Sequence, residues 1–345
     1  TIWIIPHKRH CAPSWQTRFI CEIMNEPNVK IRVANTTWAD MTEIHIAIAQ
    51  RIHSDYPDNK AYLVGGPTEA FPAYEINNFS LWNDTLKYFI DQAGHDVDYL
   101  SVHLYDTYDF NMDADELNYT ARTGSNVDAI LDLADAYTHS TLGHVLPHSI
   151  SEFGSGFKAS GIAYAPLHDW YIMRGVIGKT FQFMQRPDTL IKTVAFITAK
   201  STWYTGPNSY PYDLWHKAPN GTYVLGHSWK FYSLFQHFQG KYILCSTSDV
   251  NVQVVALQTS DSGDFVVALH NLHYSSTTVD LVVDGVDGVD GGRGVDAGDA
   301  GVVGDASIGV GDGVGDALIT NTTRLIWNTT LNEPQLIHTG TQAET

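Results

Sequence analysis

Basic residues are scarce in this chain: 20 lysines and arginines stand against 38 aspartates and glutamates, a formal net charge of -18 over 345 residues. No run of Lys and Arg occurs. Phosphate backbones and anionic membranes are held through clustered cations, so this balance argues against nucleic acid or a membrane surface as a partner. Long apolar runs are missing too, and none reaches the roughly 18 residues that a membrane-crossing helix needs. The opening residues carry no secretory leader pattern, and a chain that starts at Thr1 reads as beginning inside a domain. Cysteine is limited to Cys11, Cys21 and Cys245, which allow at most one disulfide. Cys21 falls in an apolar run and is expected to be a buried core thiol. No glycine-rich loop joins a strand to a helix, which disfavours a dehydrogenase or a kinase. His7 and His10 are spaced like weak metal ligands, but no second Cys or His pair follows at a zinc-site spacing, so neither metal nor cofactor is expected.

Apolar and aromatic side chains are plentiful, at 43% and 12% of residues, enough for a sizeable core. The length suggests two domains, or one large domain with an appendage. Asn-x-Ser/Thr sites begin at Asn35, Asn78, Asn83, Asn118, Asn220, Asn321 and Asn328. Such acceptors matter in secreted proteins, so their number leans the reading toward secretion.

Two stretches carry the chemistry. In Phe19-Ile20-Cys21-Glu22-Ile23-Met24-Asn25-Glu26-Pro27-Asn28 an apolar, strand-like run leads into a glutamate followed by proline. A buried strand ending in a carboxylate at a rim is how barrel enzymes hold their chemistry. Pro27 lacks an amide hydrogen and disfavours helical backbone before it, so Glu26 is expected at a strand end in extended conformation. Asn25 beside it can donate to a sugar hydroxyl. The second stretch, Val145 to Gly154, is another strand-like run that delivers Glu152 into the turn Gly154-Ser155-Gly156. Cleaving a glycosidic bond takes two carboxylates flanking the ring, and these two glutamates are the proposed pair.

The intervening chain alternates between helix and strand. Thr1 to Pro6 reads as a short strand of a cut βα unit. Asn35-Thr36-Thr37 with Asp40 forms a helix cap, and Met41, Ile44, Ile48 and Ile52 repeat at helical spacing until Tyr56-Pro57. Strands are expected near Arg18, Ala61, Val97, Val145 and Ile191. Helices are expected near Ser80 to Ala93, Val127 to Tyr137, Leu167 to Phe183 and Ser228 to Phe238. One strand every forty or so residues, with a helix between, indicates parallel βα repeats. Glu26 and Glu152 then lie three strands apart.

From Lys241 short β-like runs replace helical periodicity: Tyr242 to Cys245, Val250 to Gln258, Asp264 to Leu272, Thr277 to Val283 and Leu318 to Trp327. They suggest a small antiparallel β-sandwich. The domains are therefore expected at residues 1–240 and 241–345. Between residues 284 and 317 lies an acidic tract rich in Asp, Gly and Val, too poor in large apolar side chains to offset the entropy of ordering. A solvated or disordered insert is expected there; calcium binding by its aspartates is the alternative, without the spacing of an EF-hand.

Asn25-Glu26-Pro27 paired with Ser151-Glu152-Phe153-Gly154 resembles the retaining β-glycosidases built on (β/α)8 barrels, whose acid/base and nucleophile follow the fourth and seventh strands. Within that clan, Phe183-Met184-Gln185-Arg186-Pro187-Asp188 and Phe196-Ile197-Thr198-Ala199-Lys200 with Trp203 resemble the β-agarases and β-porphyranases of glycoside hydrolase family 86. The likeness spans about Arg18 to Gly240. It implies an incomplete TIM-type barrel, about strands 4–8, since counting Glu26 as the end of the fourth strand leaves the first three without sequence.

The resemblance implies a retaining endo-hydrolase of agar-type galactans that is secreted and monomeric, with the polysaccharide as its partner. Glu152 attacks the anomeric carbon, while Glu26 protonates the leaving oxygen and later activates water. Trp203, His103 and Tyr105 are expected at the same rim as sugar contacts, although His103 reads equally well as a hydrogen-bonded structural histidine. Trp215 fits either a sugar contact or the core; Trp82 and Trp170 lie in helical runs and belong to the core. Two other readings stand beside this one: a non-catalytic or decayed carbohydrate-binding fragment, and a hydrolase of the same clan acting on another β-glycan.

Overall fold

The computed structural model describes residues 2–8, 19–57, 62–109, 118–120, 123–157, 164–204, 210–218, 220–236, 238–259, 265–272, 277–283, 293–297, 303–310, 317–328, 331 and 333–340. Two compact units emerge. One comprises Ala12–Gly156 and Arg186–Phe196, the other Thr1–Cys11, Phe157–Gln185 and Ile197–Thr345.

The chain opens with β1 (Ile2–Lys8), which belongs to the second unit. The first unit follows with β2 (Phe19–Glu22), α1 (Pro27–Ala34), α2 (Trp38–Asp55), β3 (Tyr62–Ala70), α3 (Ile76–Asp84) and α4 (Leu86–Ala93). After these come β4 (Tyr99–Asp109), β5 (Asn118–Thr120), α5 (Ser125–Leu142) and β6 (His148–Phe157). Past α6 (Pro166–Met184), which belongs to the second unit, β7 (Leu190–Ala195) completes the first. Its sheet runs β2-β3-β4-β6-β7, with β5 paired antiparallel to the end of β4. The five main strands are those expected from sequence, and they form a curled parallel half-barrel.

Local chemistry explains the helix that leads into β3. Thr37 caps α2, its hydroxyl accepting from the Asp40 amide at 3.1 Å while the Asp40 carboxylate accepts from the Thr37 amide at 2.9 Å. Such a reciprocal cap is worth about 1 kcal/mol. Met41, His45 and Ala49, spaced by four, form the buried face. Gly65 and Gly66 on β3 permit close packing: a Cβ on the first would come within 2.5 Å of Tyr99, and on the second within 2.6 Å of the His45 ring. Also buried in this core are Leu86, Phe89 and Ile90 of α4, Leu100 and Leu104 of β4, and Val127, Ile130 and Leu131 of α5.

Several expectations are corrected. The strand β2 stops at Glu22 and lies at the edge of the sheet among the described residues; its side chains alternate between the two faces, and on one face Phe19 is 66% exposed and Cys21 is an exposed free thiol, not a core one. Glu26 is not extended. Its backbone is left-handed (φ 50, ψ 56), and it precedes a helix, α1, that the sequence reading did not place. Pro27, which disfavours the right-handed helical region for Glu26, sits in the first turn of that helix, where its missing amide hydrogen costs nothing.

In the second unit β8 (Trp215–Lys217) and β9 (Tyr223–Leu225) form a hairpin before α7 (Trp229–Phe235). Then come β10 (Lys241–Thr247), β11 (Val252–Gln258), β12 (Phe265–Asn271), β13 (Thr277–Val283), β14 (Arg293–Ala297), β15 (Val303–Val310), β16 (Ala317–Asn328) and β17 (Glu333–Gly340). They join one nine-stranded sheet ordered β14-β13-β1-β10-β11-β12-β15-β16-β17. All its pairings are antiparallel except β1 with β13. The opening strand thus pairs with this sheet rather than with the parallel one. Two pieces of the Asp/Gly/Val tract are strands as well, where partners satisfy backbone groups that the side chains alone could not bring to order; the rest of that tract, and His10, lie outside the described residues. At the centre, Val254, Val255, Ala256, Val267 and Ala268 are buried.

Candidate active site

The strands of the half-barrel converge their polar side chains. On β4, Ser101, His103 and Tyr105 recur at every second residue and share a face. All three are buried. On β6, Ser149 and Ser151 do the same, and a register irregularity against β7 between Ile150 and Phe153 re-aims the following residue, so that Ser151 and Glu152 both meet partners on β4. Glu26 arrives from the turn after β2. Its amide donates to the Thr68 carbonyl at 3.1 Å, and Asn28 clamps Ala70 through its side-chain amide, donating to the carbonyl at 2.7 Å and accepting from the amide at 3.0 Å. These bonds hold Glu26 in a left-handed conformation that a non-glycine residue adopts at a cost, a form of strain concentrated at functional sites.

One imidazole links the two glutamates. His103 Nδ1 lies 3.0 Å from Glu26 Oε1 and 3.4 Å from Glu152 Oε2. Atoms of the three groups all lie within 4.8 Å of one another, close to the 5 to 5.5 Å separation of a double-displacement carboxylate pair. Tyr105 donates its hydroxyl to Glu152 Oε2 at 2.7 Å, and His103 Nε2 meets Ser151 Oγ at 3.1 Å. Both glutamates remain about one-fifth exposed while His103 is 1% exposed, so the carboxylates face the opening and the ring lies beneath them. Two carboxylates and an imidazole are also a donor set that a divalent cation accepts; here those atoms have protein partners in Tyr105 and His103.

The hydrogen bond from His103 holds the Glu26 carboxyl below its ordinary range, against the upward push of burial and with further help from the charges of His103 and Lys30. The acid role assigned from sequence needs a proton on Glu26, so that proton has to come from a neighbour rather than from burial alone.

Three further residues were expected at the site from sequence: Asn25, Trp203 and Trp215. Asn25 is exposed next to Glu26. Trp203 and Trp215 belong to the second unit. There Trp203 is 68% exposed and packs against Tyr204 and Tyr210, with ring centroids 6.1 and 5.1 Å away; Trp215 is exposed at the start of β8. The loop carrying Trp203 is tied down by buried Asp213, which accepts from Thr198 Oγ1 at 2.6 Å and from the amide and hydroxyl of Ser201 at 2.9 and 2.7 Å. Trp82 and Trp170 are core residues as expected. The sequence reading missed Glu22, Ser101, Ser149 and Ser151, although polar residues at alternate positions of otherwise buried strands are a readable signal.

A curled parallel sheet with two glutamates this close is the arrangement that double-displacement glycoside hydrolases use. In keeping with this, the sequence pattern of the cellulases (glycosyl hydrolase family 5) matches residues 13–184. β-Porphyranase A of Phocaeicola plebeius is 33% identical over 282 residues, which are 75% of this chain and 37% of that protein. The funoran endo-β-hydrolase of Wenyingzhuangia aestuarii is 30% identical over 287 residues, 79% of this chain and 37% of that protein. A solved β-porphyranase of glycoside hydrolase family 86 from the human gut bacterium Bacteroides plebeius superposes with a TM-score of 0.73 at 25% identity, covering 94% of this chain and 53% of its own. The chain is a homologue of the family 86 glycoside hydrolases, and it spans 37% of the length of each of the two sequence relatives.

Proposed function

We propose that this chain carries the catalytic pair of a secreted, retaining endo-hydrolase that cleaves β-1,4-galactosidic bonds in agar-type red-algal galactans. The observation that supports this reading most directly is the approach of Glu26 and Glu152 to within 4.8 Å across His103. Glu152, oriented by Tyr105, attacks the anomeric carbon of a galactose unit and forms a glycosyl-enzyme. Glu26 protonates the departing oxygen, then takes a proton from the water that releases the sugar. The half-barrel supplies strands 4–8 of a (β/α)8 barrel, and the antiparallel strands from Lys241 make a β-sandwich domain. Asn25, Trp203 and Trp215 contribute to sugar binding, the indoles by packing on the apolar faces of pyranose rings.

Agarose, porphyran and other β-galactans, incubated with the chain and analysed for fragment size and anomeric configuration, test the reading. Internal cleavage with β-configured new ends supports it. The α-configuration, or binding without new reducing ends, overturns it. Glu152→Ala removes hydrolysis, while azide partly restores turnover to Glu26→Ala; absence of any rescue counts against the assigned roles.

A further inference from the structure

Below the two glutamates runs a chain of hydroxyls that ends on a third. Glu22 Oε1 accepts from Ser101 Oγ at 2.9 Å and from Ser149 Oγ at 2.8 Å, and Thr68 lies 3.4 Å from Oε2. Ser101 Oγ is 3.2 Å from Ser151 Oγ, and Ser151 Oγ is 3.1 Å from His103 Nε2. Resting on the reading of Glu26 as acid/base, we propose that Glu22 is a positioning residue which, through Ser101 and Ser151, fixes a proton on His103 Nε2 and so leaves a second proton shared between His103 Nδ1 and Glu26.

Counting hydrogens gives the direction. A carboxylate accepts only, and each serine hydroxyl has one proton to give. Ser101 gives its proton to Glu22, so in its contact with Ser151 it accepts. Ser151 has then given its proton to Ser101, so it accepts from the ring, and Nε2 carries hydrogen. Ser101, Ser149 and His103 are buried, which leaves bulk water little part in reversing the order. On the far side of the ring Nδ1 faces Glu26 Oε1 at 3.0 Å. A bare nitrogen and a bare carboxylate at that distance would set lone pair against lone pair, so a proton lies on the line between them, held by one or the other. As the leaving oxygen takes a proton from Glu26, it takes the shared one, which passes from Nδ1 through the carboxylate; Glu26 ends ionised and the imidazolium becomes a neutral ring still protonated at Nε2. When water attacks the glycosyl-enzyme, its proton passes through Glu26 back to Nδ1, and the count closes. The relay accounts for a Glu26 that His103 keeps ionised at rest and that still delivers a proton.

Nitrogen NMR of histidine-labelled protein reads the state of Nε2 directly, with the His103 signal assigned by its loss in His103→Gln. The wild type shows Nε2 protonated. In Ser101→Ala the Ser151 hydroxyl is released to donate toward the ring, and Nε2 loses its hydrogen; Glu22→Met does the same by removing the terminal acceptor. Ser149→Ala, which touches Glu22 off the path to the ring, leaves the signal unchanged and controls for general disturbance. An unprotonated Nε2 in the wild type, or a protonated one in both relay variants, overturns the proposal. If Ser101→Ala loses its dispersed spectrum, Glu22→Met decides. Kinetically, Ser101→Ala loses about 100-fold on galactan, within the range that general acid catalysis supplies, and little on an oligosaccharide with an aryl leaving group that departs without a proton. Equal losses on both substrates count against the relay. A wild type that cleaves no galactan refutes the proposed function, while the nitrogen signals still decide the relay.

Discussion

Glu69 offers a test in which both sign and size can be worked out. It sits on β3 fully buried, with Oε2 accepting from the Tyr74 hydroxyl at 3.0 Å and Oε1 without a hydrogen bond among the described residues. Burial pushes its carboxyl from an ordinary 4.5 up to about 7, against smaller opposing effects of Thr85 and Tyr74. Between those two values the folded chain keeps a proton that the unfolded chain has lost. Stability from this group is therefore full below pH 4.5 and falls as pH rises toward 7. At about 1.36 kcal/mol per pH unit the whole loss is about 3 kcal/mol. Glu69→Gln keeps the shape and the acceptor for Tyr74 but cannot ionise. Urea unfolding of both proteins from pH 4 to pH 8, followed by tryptophan fluorescence, should show the variant gaining on the wild type by that amount across the window and then levelling. A difference that does not change with pH would show that Glu69 ionises as freely in the fold as out of it, and the desolvation argument would fail.

The nine-stranded sheet should respond to acid in the opposite sense. Burial, aided by the charge of Arg174, lowers His270 from 6.5 to about 3, so its contribution is present above 6.5 and is lost as pH falls through that interval. The full span is about 5 kcal/mol, and His270→Gln should flatten the acid limb of an unfolding titration. Tyr105→Phe removes the donor to Glu152 and is expected to lower kcat/KM on galactan roughly 10- to 100-fold, in line with about 1.5–3 kcal/mol for a hydrogen bond to a charged group. Unchanged kinetics would take Tyr105 out of the site. Thr37→Ala should cost about 1 kcal/mol by loss of the α2 cap, measurable in the same denaturation curves.

Most of the parallel unit could be read from sequence because its signals are local. The cap at Thr37, the four-residue spacing of Met41 and its successors, and the regular return of apolar runs need no knowledge of distant partners. The opposition of Glu26 and Glu152 also followed, since strand order alone brings them to one sheet. What escaped depends on partners remote in sequence. Cys21 lies in an apolar run, yet it is exposed: it sits with Phe19 on the open face of β2, an edge strand among the described residues. The left-handed backbone of Glu26 is held by Thr68, on the next strand. Residues 293–297 and 303–310 look too poor in apolar side chains to order, and they are strands through pairing with β13, β12 and β16. The serines beneath the glutamates take their meaning from Glu22 and His103 at the two ends of their row, residues remote from them in sequence.

The outward-facing thiol at the sheet margin is a ready-made reporter. Cys21 immediately precedes Glu22, so the speed at which a bulky maleimide labels it gauges how much cover that flank receives. Fast labelling would mark this margin of the sheet as open, and slow labelling would mark it as covered, without any substrate being needed.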